Sequence, residues 1–328
     1  MRILLAKRKQ VGYSDYYPNG YKDAIIKENN MNKKQNMVPL SKLNLTNRFL
    51  FDEVMEDPEV QQEALSIIFG RDISLLTQSQ TEKELRLSPL ARTVRMDVFS
   101  VDEDETVYNT EMQNSKKGDL ARRSRYYQSL LDTSLLEPGV PDYNLLNQTY
   151  LIMIMTFDLF GYEKYRYTFE TRCKELPELM LEDGAVRIFL NTRGKNKDGV
   201  SKELVDFLHY LEETTDESAK QAESERIHRI HARVCKVREN EKIGVKYMQA
   251  WEEKYYDKQE AREEGLAEGL AEGLAEGLAE GRKQIVGALI DTYLEFGLTQ
   301  EDAGKRLMEK LEISDEAAAA YIKEYWKD

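Results

Sequence analysis

Cysteine is almost missing from this chain. Its 328 residues include two, Cys173 and Cys235, far apart and in no Cys-x-x-Cys pair. That excludes a disulfide framework, and neither a disulfide nor a zinc site is expected; two reduced thiols of a cytoplasmic protein are the simpler reading. Long apolar runs are missing too. The longest, residues 150 to 155, falls far short of the roughly 20 residues a membrane helix needs. At the start, Ile3-Leu4-Leu5-Ala6 precedes Lys7, Arg8 and Lys9, the wrong order for a secretory signal and too short for its apolar region. The expectation is a cytoplasmic protein with no membrane partner. Positive charge is in deficit, with 47 Lys and Arg against 60 Asp and Glu and a net charge of −13. Such a balance argues against a generic nucleic-acid binder, because phosphate contacts need Lys and Arg.

What is present is unevenly placed. Acidic residues concentrate between positions 252 and 280, whereas Lys116, Lys117, Arg122, Arg123 and Arg125 cluster with only Asp119 among them. Hydrophobic residues make up 41% and charged residues 33%, a globular composition with long solvated helices added. Residues 1 to 40 are polar and carry no sustained period, so a disordered basic N-terminal arm is expected there.

One stretch stands out. Thr93-Val94-Arg95-Met96-Asp97-Val98-Phe99-Ser100-Val101 and Thr106-Val107-Tyr108-Asn109-Thr110-Glu111-Met112-Gln113 are strand-forming runs around the polar residues 102 to 105, the pattern of an antiparallel hairpin. Each run holds one internal acid, Asp97 and Glu111. A five-residue loop over 102 to 106 pairs Val101 with Val107, Phe99 with Asn109, Asp97 with Glu111 and Arg95 with Gln113. Both acids then share a face, with Cβ atoms roughly 5 Å apart. Like charges so placed repel unless a cation lies between them, and a hard divalent ion with oxygen ligands fits. The same pair could also lie on a solvated sheet face.

Asp97 followed by Glu111-Met112-Gln113, then a basic helix start, resembles the PD-(D/E)XK nuclease fold in the form found in the recombination-promoting nuclease and transposase (Rpn) family. Also similar are Asn47-Arg48-Phe49-Leu50-Phe51 leading a helix, Arg123-Ser124-Arg125-Tyr126-Tyr127-Gln128 after the hairpin, Gly139 with Tyr143, and Ile188-Phe189-Leu190-Asn191-Thr192-Arg193-Gly194. The resemblance runs in order from about residue 43 to 211. It implies an α/β, restriction-endonuclease-like domain over 41 to 215, with a mixed central sheet flanked by helices. It further implies an Mg²⁺ or Mn²⁺ ion held by Asp97, Glu111 and the main-chain carbonyl of Met112, and a DNA substrate. Gln113 stands where lysine-type members carry their Lys; an amide orients water but is no useful base near pH 7. Lys116 or Lys117 could supply the charge. Arg122, Arg123 and Arg125 are further candidates for DNA contact. Some members add an acid from the first helix, for which Glu53 and Glu63 are candidates beside an ordinary solvated helix face.

Elsewhere the periodicities predict a helix over 52 to 69 around Asp57-Pro58, capped by Gly70, and a first strand over 75 to 87. Asp119 opens an amphipathic helix with Tyr127 in the core, and residues 150 to 155 form a central strand apolar on both faces. Strands follow over 165 to 171 and 186 to 192, then a helix over 203 to 213. Residues 216 to 264 read as one long charged helix. In it His228 and His231 could share a face, but no third ligand type is positioned with them. From 265 to 281 Gly-Leu-Ala-Glu repeats; the leucine stripe drifts about 40° per repeat, and each Gly costs roughly 1 kcal/mol against Ala, so a partly helical spacer is expected. Residues 282 to 328 form a small helical module, read as a homo-oligomerisation element in preference to a helix-turn-helix. Two functions remain open: a metal-dependent DNA endonuclease, and a catalytically weak or inactive nuclease-fold protein that acts as an oligomeric interaction module.

Overall fold

The computed structural model describes residues 37–86, 93–116, 118–136 and 138–326. The expected N-terminal arm lies outside them up to residue 36, as does Lys117. The chain divides into two compact units, one ending at Gln249 and one beginning at Ala250.

In the first unit, α1 (Arg48–Met55) starts at Asn47, whose side chain accepts from Phe49 and Leu50 N–H, satisfying donors that a helix start leaves orphaned. Asp57 then caps α2 (Pro58–Phe69), with Pro58 as its first residue; the expected single helix over 52 to 69 is thus two. A proline has no N–H and fixes its φ, so it serves as a helix opener and breaks a helix interior. Gly70 ends α2 in the left-handed region at φ 67°, as its position predicted.

Next come β1 (Leu76–Leu85), β2 (Val94–Asp102), β3 (Val107–Gln113), α3 (Leu120–Leu135), β4 (Thr149–Met155), β5 (Arg166–Phe169), β6 (Ala185–Asn191) and α4 (Lys202–Glu212). The six strands lie in the order β1-β2-β3-β4-β6-β5. Pairs β3–β4 and β4–β6 are parallel, and β1–β2, β2–β3 and β5–β6 antiparallel. This is the mixed sheet expected. In β4, Ile152 and Ile154 join a core containing Leu50, Val54 and Phe207, whereas Leu151, Met153 and Met155 pack with Leu120 and Phe189. Helices therefore cover both faces of β4, which explains its unbroken apolar run.

The charged segment after residue 215 is not one helix. It comprises α5 (Asp216–Gln221), α6 (Glu225–Glu239) and α7 (Glu241–Glu295). Thr215 and Ser224 cap the first two through side-chain oxygens, and these local caps compete with continuation of the preceding turn. Ile227, Ile230, Val234 and Val237 of α6 are buried in the same core as Leu50 and Phe207. The nuclease-like unit therefore extends well past the boundary expected at 215.

Helix α7 runs unbroken through the repeat, more helical than its glycines suggested. Leu, Ala and Glu, all strong helix formers, fill the three places between successive glycines. Leu266, Leu270, Leu274 and Leu278 are exposed, and a Cβ added at Gly269, Gly273 or Gly277 would meet nothing within 4 Å. Replacing these three by Ala is expected to stabilise the helix by about 1 kcal/mol per site. Amide hydrogen exchange across residues 264 to 282 should slow accordingly; unchanged exchange would mean the tract is not helical in solution.

In the second unit the end of α7 packs with α8 (Gln300–Leu311) and α9 (Asp315–Tyr325) around Val286, Ile290, Leu307 and Ile322. Thr299 and Ser314 cap the latter two helices, accepting from Asp302 and Ala317 N–H, as their sequence signals indicated. Among the described residues no helix is long and apolar enough to cross a membrane.

Candidate active site

The β2–β3 ladder pairs Val101 with Val107 and Phe99 with Asn109, the register set by the five-residue loop. It stops at Val98–Thr110, one step short of the acids, so the expected backbone pairing of Asp97 with Glu111 and of Arg95 with Gln113 does not form. Side chains replace it. The Asp97 N–H donates to Glu111 Oε1 at 3.1 Å, and the Met112 N–H donates to Asp97 Oδ2 at 3.0 Å. Each acid thus takes up an amide of the opposite strand, a contact between the acids that the ladder register does not supply. The alternation of β2 slips here: Met96 and Phe99, three apart, pack in one cluster. Across from the slip, Glu82 adopts a left-handed φ of 54°, which costs a non-glycine residue free energy and is commonest at functional sites. Arg95 pairs with Glu82.

Both acids are buried. Asn109 Nδ2 donates to Glu111 Oε1 at 3.3 Å, and Gln113 Nε2 reaches Glu111 Oε2 at 3.5 Å. Gln113 therefore lies beside Glu111, its amide turned toward that carboxylate. The Met112 carbonyl belongs to the same turn of strand.

A third acid comes from α1, and it is neither Glu53 nor Glu63. Glu53 pairs with Lys246, and Glu63 with Arg226 and Arg229. The acid is Asp52, tied to Arg48 one helical turn earlier (Arg48 Nε to Asp52 Oδ2, 3.5 Å), while Arg48 Nη2 lies 2.5 Å from Asp97 Oδ1. Burial first and the Asp97 charge second push the Asp52 carboxyl up to about 8. Burial likewise raises Asp97, against the pull of Arg48 and the Met112 amide, and burial followed by the Asp97 charge raises Glu111. Desolvation works against the Arg48 cation, but Asp97, Asp52 and Glu111 together raise its pKa.

Of the basic candidates, Arg123 is the one whose charge acts on both Asp97 and Glu111. Its guanidinium lies 5.5 Å from the Tyr127 ring centre, and its Nε and Nη2 are buried without a hydrogen-bond partner among the described residues. Arg122 and Arg125 point to solvent, and Lys116 donates to the Asp158 carbonyl at 3.2 Å. The structure does not bring these three to the acids. Tyr127, expected in the core, is partly buried and packs against two core clusters from their edge, and burial followed by the Glu111 charge raises its phenol.

The donor set suits a hard divalent cation. Asp52, Asp97 and Glu111 offer carboxylate oxygens alone, the ligand type preferred by Mg²⁺ and Mn²⁺. Asp52 Oδ1 and Asn109 Oδ1 are buried with no hydrogen-bond partner among the described residues, so acceptor capacity is left over. Arg48 supplies a positive charge between two of the acids, and its side chain is 49% exposed, so it can swing away.

A mixed sheet between helices, with an Asp and a Glu gathered where a ladder ends and a basic helix alongside, defines the PD-(D/E)XK nuclease class of α/β folds. Residues 49–265 match the model of the PD-(D/E)XK nuclease family transposase, and the chain belongs to that family. Nucleases of this class generally use divalent metal ions. Searches of curated proteins and of solved structures returned no match.

Proposed function

We propose that this chain is a metal-dependent DNA endonuclease, a recombination-promoting nuclease that hydrolyses phosphodiesters in the cytoplasm with Mg²⁺ or Mn²⁺. The observation that carries the reading is the pair of buried acids, Asp97 and Glu111, tied across two strands by each other's amides, with Arg48 bridging Asp97 to Asp52. Asp97 and Glu111 hold the ion, with Asp52 and, by analogy with the family, the Met112 carbonyl as further ligands. When bound, the ion polarises the phosphoryl oxygen and makes a water nucleophilic near neutral pH. Gln113 orients that water through its amide but cannot take its proton. Arg123, whose charge acts on both Asp97 and Glu111, adds positive potential beside the acids for an incoming phosphate. The small helical module after residue 282 is read as the means of homo-oligomerisation.

A second reading has an observation in its favour. Asp97 is buried against Arg48, as in a scaffold that keeps the nuclease fold, cuts nothing and works by assembly. Supercoiled plasmid incubated with the purified protein, with and without Mg²⁺ or Mn²⁺, separates the two: nicking that needs the metal supports the endonuclease, and none in either metal supports the scaffold.

Arg48→Ala sharpens the choice. If Arg48 competes with the ion, its removal lowers the Mg²⁺ concentration needed for half-maximal nicking; if it is only a structural partner, metal binding by calorimetry stays unchanged and the melting temperature drops. Gln113→Ala should slow nicking about tenfold, the effect of one neutral hydrogen bond. A loss as large as that from removing a metal ligand would give Gln113 a greater part than orientation.

A further inference from the structure

Three potential ligands of mixed chemistry meet on the side of the first unit formed by α5 and α6. His231 and Cys235 are four apart on α6 and so share its face, and Asp216 is the first residue of α5. Nε2 of His231 lies 3.0 Å from Asp216 Oδ1 and 3.6 Å from Cys235 Sγ, and the three ligand atoms all lie within 4.8 Å of one another. The other ring nitrogen, Nδ1, is 2.7 Å from the Tyr210 hydroxyl. His228 takes no part; its Nε2 meets the Ala219 carbonyl at 2.9 Å.

A nucleophilic thiol relay needs a different arrangement. There the acid holds one imidazole nitrogen and the nucleophile faces the other. Here thiol and carboxylate converge on the same nitrogen, and the opposite one is held by a tyrosine. Convergence of a sulfur, a nitrogen and an oxygen on a common point is metal geometry. Zinc bond lengths and tetrahedral angles imply ligand edges of about 3.4 Å between nitrogen and oxygen and about 3.6 Å between nitrogen and sulfur. The observed edges are 3.0 Å and 3.6 Å.

We propose that Asp216, His231 and Cys235 bind a thiophilic divalent ion of the zinc class, with Tyr210 fixing the imidazole from behind and water completing the tetrahedron. A thiolate and an imidazole select such an ion over Mg²⁺, which prefers oxygen alone, so this site and the acids at Asp97 draw different metals. A thiol binds such an ion as the thiolate, so ion binding releases a proton and tightens as pH rises. The ion ties the start of α5 to α6, and α6 in turn braces α1 through Arg233, which donates to the Glu53 carbonyl at 3.4 Å.

Cobalt(II) is the probe, added to the 328-residue chain carrying Asp97→Asn to silence the oxygen site. One equivalent should bind with a thiolate-to-cobalt charge-transfer band and the visible bands of a tetrahedral ion, both erased by added zinc. Cys173→Ser keeps the band and Cys235→Ser abolishes it. His231→Asn and Asp216→Asn each weaken binding at least about tenfold, and Tyr210→Phe does so by a factor in the same range. Asp216 is largely exposed, so its replacement disturbs little packing, and circular dichroism checks the fold of every variant. No charge-transfer band in the parent, a band that survives Cys235→Ser, or unchanged affinity in Asp216→Asn would overturn the proposal.

Discussion

Asp97→Ala is expected to lower the rate of Mg²⁺-dependent nicking by about a thousandfold, the several kcal/mol of transition-state stabilisation that a misplaced ion forfeits. Two groups depend on this carboxylate: the Met112 amide on one oxygen and Arg48 on the other. The Ala variant strands a buried backbone donor, which costs about 1–3 kcal/mol, so its melting temperature must be measured beside its activity. Asp97→Asn separates the effects. Its amide oxygen still accepts from Met112 N–H while its charge is gone and its NH2 faces Arg48, so the strand contact is kept, the Arg48 pair is lost and cleavage is lost. Either variant nicking plasmid at the parent rate in Mg²⁺ would remove Asp97 from the mechanism.

The metal-free protein is expected to lose stability as pH rises from about 4 to about 8. In the fold the Asp52 carboxyl titrates at about 8 against an ordinary 3.8, and Glu111 and Asp97 are raised in the same direction. Across that window the folded state holds protons that the unfolded chain has released. The unfolding free energy therefore falls with pH, in full strength below the unfolded pKa and lost as pH passes the folded one. A divalent ion takes the place of the protons, so Mg²⁺ should raise the melting temperature more at pH 8 than at pH 5. Glu111→Gln should flatten the profile and melt higher than the parent at pH 8 without metal, by roughly 2–4 °C per kcal/mol recovered, while abolishing nicking. Thermal melts at several pH values, with Mg²⁺ or a chelator, decide it: stability that climbs over this range would mean the acids are ionised and paired in the fold.

The hairpin could be read because strand parity is arithmetic: once a loop of five is chosen, Val101 meets Val107 and Phe99 meets Asn109. Gly70 and the caps at Thr299 and Ser314 were legible because their chemistry is local. The end of the ladder was not, since pattern alone cannot say that a carboxylate will take an amide in place of the next rung. Nor was Asp52. Three acids on the first two helices, Asp52, Glu53 and Glu63, differ only in which way the docked helix turns them, and docking is set by the far-off Phe207 and Val234. The pairing of Arg48 with Asp52 at a four-residue spacing was the signal available. The same holds for His231, whose spacing to Cys235 is visible while Asp216 arrives only when α5 folds back. The glycine repeat misled in the other direction, because propensity counts the cost of each Gly and overlooks the strong helix formers between them.

The exchange of amides between Asp97 and Glu111 has a mechanical consequence. Each acid holds the neighbouring strand through one oxygen, while the other meets Arg48 at Asp97 and Gln113 at Glu111, so opening the pair breaks these side-chain bonds before any rung of the ladder. Of the partners of Asp97, the half-solvated arm of Arg48 is then the one free to move when the proposed ion enters, because the Met112 amide is fixed in its strand.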